Sequence, residues 1–217
     1  MKRIKIVMIL SLLCAAHAFA QNGVITELSG TVELKAAGGA DFIAAQRGDE
    51  IARDTIVSTG FKSSALIRVG SSVLTVRPLT RLSLAEISAS SGTETINVSL
   101  QTGRVKVDVN PPAGTRTTLK VQSPVATASV RGTSFEFDTQ SLEVFEGTVA
   151  FESSEGGTML VNAGGSSEIM NNGMPADPLE TGAADLMPPP YAGNDTGFQQ
   201  GGTQSNKGEF IFDPQMK

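Results

Sequence analysis

The stretch Ser123-Pro-Val-Ala-Thr-Ala-Ser-Val-Arg-Gly-Thr-Ser-Phe-Glu-Phe137 decides how the rest of the chain is read. Val125, Thr127 and Ser129 alternate with Ala126, Ala128 and Val130, the period-two pattern of a strand, and such small side chains let another backbone or sheet come close. Pro124 sets the edge of this strand, and Gly132 can turn the chain into a second alternating run, Ser134-Phe-Glu-Phe-Asp138. Between them, Arg131, Gly132 and Thr133 admit two readings. One is an anion-binding nest. The other, and the expected one, is a structural corner: Gly132 sits where a Cβ does not fit, a buried Arg131 bonds carbonyls or a carboxylate, and the Thr133 hydroxyl caps the turn.

The same grammar runs from Gly23 to about Ile169. Gly30-Thr-Val-Glu-Leu34, Ala65-Leu-Ile-Arg-Val69, Val73-Leu-Thr-Val76, Gly103-Arg-Val-Lys-Val-Asp-Val109 and Gly147-Thr-Val-Ala-Phe151 are short alternating runs punctuated by glycine. No window there carries a helical stripe, so the fold class is all-β. About 150 residues of short strands fit one jelly-roll-like β-sandwich with a single core, an irregular β-solenoid being the alternative. Gly30, Gly103 and Gly147 open a weak repeat whose spacings of 73 and 44 residues are too irregular for a regular solenoid. A glycine able to take positive φ is expected wherever a turn feeds such a strand.

Both termini differ from this body. Lys2, Arg3 and Lys5, the apolar run Ile6 to Ala16 and Ala18-Phe19-Ala20 form a secretory signal peptide, residues 1–20, too short to span a bilayer. Leu13 stands where a lipoprotein signal carries a small residue, which favours ordinary cleavage before Gln21; lipid attachment at Cys14 is the alternative. Periplasmic or secreted localisation follows. Removal of the signal leaves 14 basic against 22 acidic residues, a net charge of −8, poorly suited to nucleic acid or an anionic membrane face. After residues 23–170, the segment 171–217 is rich in Asn, Gly, Pro and Gln, so Asn171 to Asn206 is expected to be a mobile tail. Glu209-Phe-Ile-Phe-Asp213 is apolar enough to be a short docking strand.

Cleavage also removes the only Cys and the only His (His17), and with them Ser-His-Asp and Cys-His catalysis, zinc clusters and any disulfide. No cofactor or metal is expected, and no enzyme activity. Asp138-Thr139 lacks the Gly and the second copy of an aspartic protease. Glu33, Glu86, Glu143 and Glu152 alternate with apolar neighbours and should face solvent. Arg47-Gly48-Asp49 reads as a turn in which the Asp side chain accepts the following backbone amides.

Taken together, the stretch Ser123–Phe137 resembles the signature of FecR-type domains, a serine- or threonine-proline followed by alanines and V-R-G-T-x-F. Gly48-Asp49, Thr59-Gly60-Phe-Lys-Ser-Ser-Ala-Leu66, Gly70-Ser-Ser-Val-Leu-Thr-Val-Arg-Pro78 with Thr80-Arg-Leu82, Leu100-Gln-Thr-Gly-Arg-Val105 and Val144-Phe-Glu-Gly-Thr-Val149 resemble the family in the same order, over about Gly23 to Glu168. The resemblance implies a β-rich extracytoplasmic domain, best known from regulators that relay a signal from an outer-membrane receptor to a cytoplasmic sigma factor. It also singles out Gly48, Asp49, Thr59, Gly60, Gly70, Pro78, Gly103, Pro124, Arg131, Gly132, Thr133, Phe135 and Gly147, expected to be structural. This chain shows no cytoplasmic N-terminal segment or retained membrane helix, so the expectation is a non-enzymatic scaffold that binds a protein partner in the periplasm or envelope. A sensor acting through a separate membrane protein and a carbohydrate or peptidoglycan binder are the alternatives. The absence of Trp and the single Tyr191 leave little for sugar stacking. Open sheet edges also offer a route for copies of the chain to associate.

Overall fold

The computed structural model describes residues 22–90 and 92–178. The signal peptide, Cys14, His17 and the Glu209–Asp213 segment lie outside the described residues, as does the tail beyond 178. The described chain is two β-sheets. In chain order, the first holds β1 (Gly23–Ser29), β4 (Glu50–Ile51), β6 (Ser64–Val69), β7 (Ser72–Val76), β10 (Arg104–Val109), β13 (Ser134–Asp138), β14 (Ser141–Glu146) and β17 (Ser166–Glu168). The second holds β2 (Val32–Lys35), β3 (Ile43–Ala44), β5 (Ile56–Thr59), β8 (Arg81–Ser90), β9 (Thr93–Thr102), β11 (Arg116–Gln122), β12 (Ala126–Val130), β15 (Thr148–Ser153) and β16 (Thr158–Asn162). This is the expected all-β sandwich, with no closed barrel.

Its winding follows from the turns. In both sheets the strand order advances almost monotonically with sequence, as the chain lays one or two strands in one sheet and crosses to the other. The long returns of a Greek key do not occur among the described residues. Neighbours are antiparallel except β9 and β11, which run parallel from Arg116 opposite Thr93 to Gln122 opposite Ser99, because β10 carries the chain through the other sheet between them.

Alternation sorts the side chains. Val105, Val107 and Val109 of β10 point inward while Arg104, Lys106 and Asp108 point out. The inward residues of both sheets meet in one cluster in which Ile25, Ile67, Leu74, Leu82, Leu119, Phe135, Phe137 and Phe151 are wholly buried. Each such side chain contributes roughly 1.5–3 kcal/mol.

The glycine repeat has a geometric meaning. Gly30 joins β1 to β2, Gly103 joins β9 to β10, and Gly147 joins β14 to β15; each is a crossing between sheets, with φ of 73°, 85° and 79°. Positive φ lets the chain swing across the sandwich without an intervening loop.

Past β17 the chain stays on the body. Ile169 bridges Pro175, the Ala176 amide donates to the Glu168 carbonyl at 2.7 Å, and the Ser167 hydroxyl donates to the Ala176 carbonyl at 2.6 Å. Pro175 and Ala176 are buried. The segment expected to begin the tail at Asn171 is therefore packed as far as Pro178 wherever it is described.

Candidate functional site

Nine of the family-motif residues, scattered in sequence, gather at two corners of the sandwich, while Gly48, Asp49, Gly70 and Pro124 lie elsewhere. At the first, the Thr59 hydroxyl donates to the Arg77 carbonyl at 2.6 Å and accepts the Thr80 amide at 3.0 Å. The Thr80 hydroxyl in turn donates to the Arg104 carbonyl at 3.1 Å and accepts the Arg104 amide at 2.9 Å. The Gly60 carbonyl accepts Leu79, which follows Pro78 with φ 57°. Gly103 lies on this knot: a Cβ there would be 2.5 Å from the Thr80 Cα and 2.7 Å from the Leu79 carbonyl oxygen. Both threonines are buried, so their hydroxyls take the place of water in bonding backbone groups at the sheet crossing.

The second corner corrects the expectation for Arg131-Gly132-Thr133. Arg131 is exposed, and its side chain makes no hydrogen bond or ion pair among the described residues. Its place at the crossing from β12 to β13 sets the side chain outside both sheets. Gly132 has φ 71°, but a Cβ would meet only the Pro111 ring, 3.7 Å away, so the requirement is conformational and not steric. The Thr133 hydroxyl is buried and finds no partner, so it caps nothing. Its methyl serves instead: a Cβ on Gly147 would lie 2.5 Å from the Thr133 Cγ2, so the two motifs V-R-G-T and E-G-T-V interlock through a methyl seated on a glycine. Phe135 follows into the core.

Several features were not legible as sites. Next to the exposed Pro124, the buried Ser123 hydroxyl accepts the Val125 and Ala126 amides at 3.3 and 3.0 Å and donates to the Thr139 carbonyl at 2.7 Å. Glu94 lies against Gly70 and accepts the Ser71 amide and hydroxyl and the Thr117 hydroxyl at 3.2, 2.6 and 3.1 Å. In sequence Glu94 stands between Thr93 and Thr95, with nothing to mark it. Arg47-Gly48-Asp49 is the expected turn, with Gly48 at φ 93°, but the Asp49 carboxylate accepts the preceding Gln46 amide, at 2.7 Å, and not the amides that follow. Glu86, Glu143 and Glu152 are exposed and Glu33 half-buried. Among the described residues no group of three or more His, Cys, Asp or Glu is placed to hold a metal.

The outer face of the first sheet carries most of the charge chemistry. Register sets Arg104 opposite Asp138, Lys106 opposite Glu136 and Asp108 opposite Ser134. Arg104 reaches Asp138 at 3.3 Å and Glu136 at 3.4 Å, Arg77 reaches Glu136 at 2.6 Å, and the Lys106 ammonium lies 5.4 Å from the centre of the Phe145 ring. Phe145 is 46% exposed on this face. Such pairs contribute at most about 1 kcal/mol each, but they hold a mixed-sign surface in fixed positions around an aromatic ring.

Asp138 anchors one end. Burial pushes its carboxyl upward, yet the amides of Gln140 and Ser141, the Ser141 hydroxyl and the Arg104 guanidinium outweigh it and hold the group below its ordinary value. A carboxyl lowered by folding contributes stability that is complete above its unfolded value of about 3.9 and is lost as pH falls through the lowered folded value. Asp138→Asn should lower the melting temperature at neutral pH and flatten its fall below about pH 4, so that variant and wild type converge in acid. A constant gap at all pH values would show that this carboxylate does not drive the acid limb.

Residues 55–150, the stretch from the turn before β5 into β15, match the family model described as FecR protein. The resemblance noted at Gly48 and Asp49 lies outside the matched residues. No curated protein matches the chain. Two crystal structures of a protein assigned as an anti-sigma factor from Parabacteroides distasonis ATCC 8503 are similar at 16% identity and a TM-score of 0.45, over 59% of this chain. The alignments span 63% and 62% of those chains, less than two thirds of their length.

Proposed function

We infer that this chain is a non-enzymatic, extracytoplasmic FecR-domain protein that binds a protein partner in the periplasm or envelope. The observation that carries this reading is the FecR match over residues 55–150, a family best known from regulators of cell-surface signalling. The motif residues at the two corners, from Thr59 to Gly147, hold the sheet crossings together and leave the outer face of the first sheet for contact. Arg77, Arg104, Lys106, Glu136 and Phe145 there present both signs of charge around an exposed aromatic, the chemistry that steers and anchors a protein surface.

In-cell photo-crosslinking tests this. A photoreactive residue at Lys106 or Glu143, on the outer face of the first sheet, should join one envelope protein, and one at Lys120, on the outer face of the second, should not. No adduct at Lys106 and Glu143, or the same adducts at all three positions, would overturn the reading.

A further inference from the structure

We propose that two copies of this chain pair through β16, antiparallel, about a twofold axis at Leu160. The four sheet ends are not alike. β3 and β4 are two residues long, and the three-residue β17 is covered by the Pro175–Ala176 segment. Only β16, five residues long and paired with β15 alone, is a full open edge among the described residues.

The alternation of hydrogen bonds shows which groups are free. Ala163 donates to the Gly147 carbonyl at one end of the β15–β16 ladder, and Ser153 donates to the Gly157 carbonyl at the other. Val161 and Met159 therefore bond inward to Val149 and Phe151, while Thr158, Leu160 and Asn162 turn their amides and carbonyls away from β15. Of these outward groups only the Asn162 carbonyl has a backbone partner, the Gly165 amide at 2.9 Å.

Natural edges are blunted by Lys, Pro or extreme shortness. Thr158-Met-Leu-Val-Asn162 has no charged residue and no proline, and Leu160 is 63% exposed at its centre. Met174, 43% exposed, lies against Gly157 at the strand's start, which extends the apolar surface.

The edge is complementary to itself. A twofold axis at Leu160 sets Leu160 opposite its own copy and Thr158 opposite Asn162 of the other chain, matching each outward amide with an outward carbonyl. Charge selects the same arrangement. The acidic turn residue Glu155 lies beyond Thr158, so antiparallel pairing brings it to the uncharged Ala163–Gly165 turn of the copy, whereas parallel pairing would set Glu155 on Glu155. This inference stands apart from the proposed partner face, which belongs to the other sheet.

Sedimentation of the full chain from micromolar to millimolar concentration should show a monomer–dimer equilibrium. Leu160→Lys should weaken it by about tenfold or more without changing the melting temperature at concentrations where the chain is monomeric. Leu79→Lys, at an exposed turn elsewhere, should leave it unchanged. In a Cys14→Ser background, Leu160→Cys should form an intermolecular disulfide on oxidation, because a hydrogen-bonded antiparallel pair has a Cα spacing of about 5.5 Å, within disulfide reach. Thr158→Cys, which faces Asn162, should not. A monomer at every concentration, a dimer indifferent to Leu160→Lys, or equal cross-linking of the two cysteine variants would overturn the proposal.

Discussion

Gly103→Ala is expected to destabilise the domain by about 3–5 kcal/mol, combining overpacking with a left-handed backbone that L-residues adopt at a cost. At φ 85°, an added Cβ meets the backbone of Leu79 and Thr80 at 2.7 and 2.5 Å. That backbone cannot yield. The Leu79 amide is bonded to the Gly60 carbonyl, the Thr80 amide to the Thr59 hydroxyl, and the Thr80 carbonyl to the Thr59 amide. Gly132→Ala is the control, because it has a similar φ of 71° and nothing nearer than the Pro111 ring at 3.7 Å. It should lose only the conformational part, about 1–2 kcal/mol. Thermal melts followed by circular dichroism resolve the difference, since 1 kcal/mol moves a domain of this size by about 2–4 °C. Equal losses in the two variants would mean that crowding at the sheet crossing plays no part.

The contrast between these glycines marks how far the sequence could be read. Period-two alternation is a local property, so the strands at Ala65–Val69, Val73–Val76 and Arg104–Val109 and their buried faces were legible, and with them the two-sheet class. The recurrence of Gly30, Gly103 and Gly147 was legible as turns, but not as crossings between sheets, because which sheet a strand joins depends on partners far away in sequence. The parallel pairing of β9 with β11 is hidden for the same reason. The exposure of Arg131 is not legible because burial of a long cationic side chain is set by the neighbours across the corner, and among the described residues none there bonds its guanidinium. Ser123 and Glu94 look like ordinary polar residues until the fold brings the Thr139 carbonyl to one and Ser71 and Thr117 to the other. The packed segment at Pro175–Ala176 is not legible in sequence because two small apolar residues among Asn, Gly and Pro leave no periodic signal.

The other large effect is expected at the end of the opening stretch. Phe137 on β13 belongs to the first sheet and Phe151 on β15 to the second, and their rings meet edge to face with centroids 6.1 Å apart and planes at 75°. Both are wholly buried, so this pair ties the two sheets through the middle of the core. Phe137→Ala should cost about 3–5 kcal/mol, the lost transfer energy plus the cavity that a two-sheet core cannot collapse to fill. Phe137→Leu keeps most of the volume and should cost about 1.5 kcal/mol or less. Phe145→Ala, on the exposed outer face of the neighbouring strand β14, should fall within about 1 kcal/mol of wild type, since it gives up mainly a cation–π contact with Lys106. Urea unfolding followed by circular dichroism is the suitable measurement, because the chain has no Trp and a single Tyr. A double variant, Phe137→Ala with Phe151→Ala, should lose less than the sum of the single losses by about 0.5–1.5 kcal/mol, the coupling of the ring pair. Strict additivity would mean that the rings contribute only separate burial, and a Phe137→Ala loss no larger than that of Phe145→Ala would remove Phe137 from the core that joins the sheets.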